Sequence, residues 1–305
     1  MTAPDTSDAV KQRALETTAA VCVVLFVALY LFAVQTAWGQ RLDATAVRGR
    51  HALRIETVHA AHRLLTTIDV ASVALLGGAI VVVALLRGRP RLAVGAGIVM
   101  AGATFTSEIL KHVVLPRPNL GVPDALGLTP SYPSGHTTVA MSLAIGALLV
   151  TPSRWRALVG MLGAVYASAI GVATVATASH RASDPIGAVL VVTAWASVVL
   201  VVFVRRGLDH RRATRGPSAT PWFTTAGLTL LVVAFVGLAA TVVAIRRNDV
   251  DTVDLGGAFV AAAAAITGAV LVATATLLAV LRGVALDPPR NSSRAEERDL
   301  ARASR

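Results

Sequence analysis

Residues 185–204 read PIGAVLVVTAWASVVLVVFV, a run from Pro185 to Val204 that holds no charge and is bounded by Asp184 before it and Arg205 and Arg206 after it. The hydrocarbon core of a bilayer, about 30 Å thick, takes roughly 20 apolar residues per helix. A lone strand there would leave its backbone groups without partners. The run is therefore predicted to be a transmembrane helix. Outward from it lie comparable runs at about 15–38, 70–86, 92–114, 137–152, 157–178, 224–245 and 258–281, of which 137–152 is short. The predicted fold class is an all-α polytopic membrane protein with about eight transmembrane helices.

Composition agrees. Apolar residues make up 55% of the 305-residue chain and charged residues 15%, with a mean hydropathy of +0.67. Soluble domains carry about 25% charged residues, so a soluble fold and a disordered chain are both excluded. The single cysteine, Cys22, permits no internal disulfide and no cysteine-rich metal site. It lies in the first apolar run and is expected to pack as a small hydrophobe.

The net charge of +11 raises the question of nucleic acid. No basic stripe interleaved with aromatics supports it. The arginines gather instead at the ends of apolar runs, and 18 of the 28 Lys and Arg residues fall on one side if both termini are cytoplasmic. The positive-inside rule favours that orientation. Residues 39–68, 115–136 and 179–184 then lie on the outer face. The first run is too long for a signal-peptide core and no convincing cleavage site follows it, so it is expected to stay as an anchor.

No internal repeat is apparent. The expected organisation is a cytoplasmic N-terminus (1–14), a first helix and outer loop (15–69), core helices two to six (70–204), a basic cytoplasmic linker (205–223), two additional helices (224–282) and a cytoplasmic tail (283–305). The tail is expected to be mobile or to lie on the anionic leaflet. A helical pattern near Ala52–Leu65 in the outer loop is expected to lie in the interface.

Three clusters carry ionisable residues on the predicted outer face. The first is Lys111-His-Val-Val-Leu-Pro-Arg117-Pro118. A membrane-edge Lys needs a partner or a route to water, and an Arg between prolines sits on a stiff turn. A point charge and a planar fork together suit a phosphate. The bland reading is two interface anchors. The second is Tyr132-Pro133-Ser134-Gly135-His136, which opens the fourth run. A helix start of small residues offers backbone N–H groups to an anion, Ser134 adds a hydroxyl, and Gly135 admits a ligand close to the backbone. His136 is placed to protonate a leaving oxygen. The alternative is a plain Ser N-cap beside a solvated His.

The third cluster is His180-Arg181-Ala182-Ser183-Asp184-Pro185. On a helix, His180 and Asp184 would share a face within hydrogen-bond reach. A carboxylate there would fix the His tautomer and leave the other ring nitrogen free to attack. Pro185 suits the first turn of the sixth run, so His180 and Arg181 alternatively belong to the preceding loop. Two histidines, a carboxylate, a Lys and an Arg form a phosphoryl-transfer constellation rather than a metal site.

These motifs resemble the type 2 phosphatidic acid phosphatase (PAP2) family of membrane-embedded lipid phosphatases. The family's Lys-to-Arg-Pro, Pro-Ser-Gly-His and His-x-x-x-Asp motifs match Lys111–Pro118, Pro133–His136 and His180–Asp184, in the family's order, within about residues 70–204. The resemblance implies a six-helix core, here with two C-terminal helices added, and an active site at the outer membrane surface. It implies His180 as a nucleophile passing through a phosphohistidine, Asp184 orienting it, and His136 protonating the leaving group. Lys111, Arg117, Ser134 and Gly135 would bind phosphoryl oxygens, with no metal and no cofactor.

Two departures stand out. Five residues separate Lys111 from Arg117 where the family usually has six, a shift worth about 100° on an α-helix. The family's Ser-Arg pair falls on Ala173 and Thr174, so one phosphate-binding Arg is missing, and Arg181 is the candidate substitute. Elsewhere, Glu108 is expected to pair with Lys111 or a neighbouring helix and compete with phosphate for that Lys. His51, His59 and His62 with Arg54 and Arg63 are read as interface residues rather than metal ligands.

The expected function is a plasma-membrane lipid phosphatase acting on the outer leaflet, with a polyprenyl diphosphate, phosphatidic acid or phosphatidylglycerol phosphate as substrate. Membrane lipids are the expected partners, and nucleic acid is not. The alternatives are a lipid phosphotransferase or a non-catalytic lipid-phosphate-binding envelope protein. A transporter is disfavoured, because the ionisable residues gather at one interface rather than at broken mid-span helices.

Overall fold

A computed structural model describes residues 6–123, 126–127, 129–206, 210–211, 219–247, 252–282 and 284–285. The expected tail lies almost wholly outside the described residues, as does most of the linker. In chain order the helices are α1 (Thr6–Leu29), α2 (Ala37–Arg48), α3 (Ile55–Leu65), α4 (Val70–Leu86), α5 (Pro90–Ile109), α6 (Gly135–Val150), α7 (Arg156–Ala176), α8 (Ser183–Arg205), α9 (Thr220–Arg247) and α10 (Thr252–Leu281). Among the described residues the only strand pairing joins His210–Arg211 to Val284–Ala285.

Six helical segments are long and apolar enough to cross a membrane: Ala9–Val34, Pro90–Val114, Ser153–Ala176, Ser183–Arg205, Thr220–Arg247 and Asp254–Leu281. The other two expected runs are α4, which meets α3 at a 60° bend, and α6, which is shorter at 16 residues. Local chemistry accounts for their starts. Asp69 and Ser72 form a reciprocal capping box at α4, Pro90 occupies the first turn of α5, and Ser134 caps α6. Pro152 bars α6 from continuing.

The first run departs from expectation. The helix passes into a π turn at Tyr30–Val34 and stops. Thr36 is extended and its hydroxyl accepts the Gly39 N–H, which starts a new helix, α2, inside the expected outer loop. The turn is pinned from outside, because Tyr30 Oη and Gln35 Nε2 both donate to the Pro116 carbonyl at 2.9 Å. The helical pattern near Ala52–Leu65 appears as α3, and Cys22 is buried.

Helices α6 and α8 form the buried centre, with α1 along α8 and with α5 and α7 against α6. The two additional helices pack on each other, and α10 also packs on α7 and α8. Ala261 approaches so closely that a Cβ at Gly237 would lie 2.7 Å from its Cβ. Such small-residue contacts let helices approach closely where lipid supplies no hydrophobic drive between them. At the far end of α9, Arg246 stacks over Trp38 of α2, with Arg41 over the same ring. That end of α9 thus lies on the same side as α2 and the loops described next.

Candidate active site

The three motif clusters converge at the ends of α5 and α7 and the starts of α6 and α8. Helix α7 ends at Ala176, and the chain reverses through Ala178, which holds a left-handed φ of +54°. The Thr174 carbonyl then accepts both the Ser179 and His180 N–H groups, at 2.9 and 3.1 Å. This places His180 in the loop before α8, the second of the two sequence alternatives. Its ring nonetheless reaches Asp184, with Nδ1 3.2 Å from Oδ2. Asp184 is fully buried, and the same oxygen accepts the Arg181 N–H at 2.9 Å. With Nδ1 committed to the carboxylate, Nε2 is the nitrogen left for a substrate.

The second cluster is tied to the third by backbone, since the Ser134 N–H donates to the Asp184 carbonyl at 3.0 Å. The His136 and His180 rings stand edge to face with centroids 6.3 Å apart. Ser134 is buried, and its hydroxyl accepts the Thr137 N–H and Oγ1, so it acts here as the helix cap. Tyr132, beneath the motif, donates its hydroxyl to the Phe26 carbonyl at 2.8 Å. Burial and the nearby Asp184 and Asp43 carboxylates push that phenol's pKa up, which keeps it neutral.

The first cluster meets the second at Gly135. A Cβ there would lie 2.9 Å from Glu108 Oε1 and 3.4 Å from Lys111 Nζ. Lys111 therefore stands at the N-terminus of α6, where the helix dipole and free N–H groups favour an anion. Glu108 accepts from Lys111 Nζ at 2.7 Å and lies 3.2 Å from His112 Nε2. Lys111 sits in a π turn, Leu110–Val114, so the rotation expected of one missing residue on an α-helix does not apply. Arg117, on the loop after this turn, is close enough to act electrostatically on Asp43 of α2.

Residues 92–208 match a protein-family model described as the PAP2 superfamily. That stretch of the chain is similar to the PAP2 superfamily, the family its three motifs resemble. No curated protein and no solved structure matches. The PAP2 segment contains all three clusters, including His136, His180 and Asp184.

Arg181 is placed differently from the sequence expectation. It is fully buried. Its guanidinium donates to the Thr129 carbonyl at 3.3 Å, to Ser131 Oγ at 2.7 Å and to the Gly127 carbonyl at 2.7 Å. These bonds turn the fork towards the loop leading into Pro133-Ser134-Gly135-His136, and Ser131 in turn hydrogen-bonds Asp184. Arg181 therefore holds that loop. Thr174, at the family's Arg position, is buried with its hydroxyl on the Gly171 carbonyl.

Sequence reasoning missed Asp43. This α2 residue is buried, with Oδ1 accepting the Ser183 N–H at 3.1 Å and Oδ2 accepting the Ser183 hydroxyl at 2.6 Å. Burial, reinforced by the Asp184 carboxylate, pushes its pKa up to about 7, while Ser183 and Arg117 pull it back. Among the described residues no group of three His, Cys, Asp or Glu side chains is placed to hold a metal ion.

Proposed function

We propose that this chain is a lipid phosphatase that hydrolyses a phosphomonoester or diphosphate of a membrane lipid at the outer membrane face. The observation that carries the reading is the His180–Asp184 pair beside His136, with Lys111 at the N-terminus of α6. In the proposed reaction His180 Nε2 forms a bond to phosphorus as the bond from phosphorus to the lipid oxygen breaks. His136 gives its proton to that oxygen. Asp184 accepts from Nδ1 and stabilises the charge that develops on the imidazole. Water then attacks the phosphohistidine, His136 takes back a proton, and the P–N bond breaks to release phosphate.

Lys111, Arg117 and the first N–H groups of α6 would hold the non-bridging oxygens, where negative charge concentrates in phosphoryl transfer. A site at the end of a helix bundle suits a substrate whose head group is polar and whose tail stays in lipid. Polyprenyl diphosphates, phosphatidic acid and phosphatidylglycerol phosphate all have that form.

The test is phosphate release by the purified chain in detergent with EDTA present, across those lipids, beside His180→Ala. Release that survives EDTA and falls at least about 10³-fold in the variant supports the reading. A folded wild-type chain that releases phosphate from none of them overturns it.

A further inference from the structure

We propose that Asp43 is a positioning residue of this site, holding the first turn of α8 so that His180 and Asp184 keep their geometry; this rests on the phosphatase reading above. Helix α8 begins without a cap of its own. Ala182, the residue before it, is helical in backbone conformation and has no side-chain acceptor. The first N–H groups of a helix need partners, and Asp43 supplies one from a different helix, 140 residues away in sequence. It accepts from both the N–H and the hydroxyl of Ser183. Ser183 directly precedes Asp184, and its hydroxyl also lies 3.5 Å from Asp184 Oδ1. The segment between the proposed nucleophile and its carboxylate is thus gripped next to the carboxylate.

A buried carboxylate is costly unless paired. Two hydrogen bonds, a helix N-terminus and the Arg117 charge offset that cost here. The charged and titratable groups facing Asp43 are Arg117 from the loop after α5, Asp184 from α8 and Tyr132 from the loop before α6. Asp43 therefore grips Ser183 beside the dyad and lies within the field of Arg117. A carboxylate needed only to dock α2 on the bundle would influence folding and leave turnover alone.

The experiment compares wild type, Asp43→Ala and Asp43→Asn in the phosphate-release assay, with kcat, KM and Tm measured on monodisperse protein. Asn is isosteric and keeps partners for Ser183, so it stands in if the Ala variant does not fold. The expected result is a fall in kcat of about 10- to 100-fold for Asp43→Ala with KM changed less than about twofold. Asp43→Asn should recover most of kcat, because it keeps partners for the Ser183 N–H and hydroxyl. If the variants that fold keep wild-type kcat and only Tm falls, the assignment is overturned while the phosphatase reading stands. If wild type itself releases no phosphate, the reading fails and takes the assignment with it.

Discussion

The segment from His180 to Asp184 is buried and crossed by hydrogen bonds from α2, α7 and the loop before α6, whereas the segment from Glu108 to Arg117 rides on a π turn with His112 and Val113 on the exposed surface of the protein. The proposed nucleophile is held before any ligand arrives. In the proposed clamp, Lys111 is held by the carboxylate of Glu108, which occupies the mouth of α6 beside Gly135. A transition state is served by groups that need not reorganise, so rigidity belongs at the attacking nitrogen. A clamp that must admit and release phosphate gains from a partner it can exchange.

Three substitutions sharpen or break this contrast. The largest effect is expected for Arg181→Ala in the rigid half. It leaves the Ser131 hydroxyl and two loop carbonyls without the buried fork, a loss of about 2–4 kcal/mol. Tm should fall by several degrees with kcat reduced, and Arg181→Lys should not rescue, because an ammonium cannot reproduce the fork. A rise in KM alone with Tm unchanged would return Arg181 to the phosphate clamp.

Glu108→Gln acts in the exchangeable half and should do less. Removing the charge frees Lys111, and for a carboxylate left half-exposed the gain is about two- to fivefold in KM, downwards, with kcat nearly unchanged. A higher KM would mean that Glu108 orients Lys111 rather than competing with the ligand. The smallest effect is expected for Ala178→Gly at the turn before His180. Its φ of +54° costs a non-glycine residue about 1 kcal/mol. Glycine should raise Tm by roughly 1–3 °C without changing kcat, and a loss of activity would show that the turn must be stiff to present His180.

Much of this architecture was legible because membrane crossing writes itself in apolar length. The runs at 92–114, 157–178, 185–204, 224–245 and 258–281 each appear as a long helix close to the expected bounds. The three clusters were legible because motif spacing survives without tertiary context. Asp43 was not. It sits in a short helix after an apolar run, matches no motif, and gains its meaning only from Ser183, far away in sequence. The direction of Arg181 was hidden for a similar reason, since its partners are carbonyls at 127 and 129 that any residue could supply. The end of α1 was misjudged because the apolar run continues past the π turn that stops the helix.

The most direct test of the central claim is to mix the detergent-solubilised chain with substrate lipid, quench it within milliseconds to seconds at high pH, and map phosphorylated residues by mass spectrometry. The account predicts an acid-labile, alkali-stable phosphoryl group on His180 that forms and decays at rates consistent with turnover, and that is absent from His180→Ala. Turnover with no phosphorylated His180, persisting in the His180→Ala chain, would contradict it.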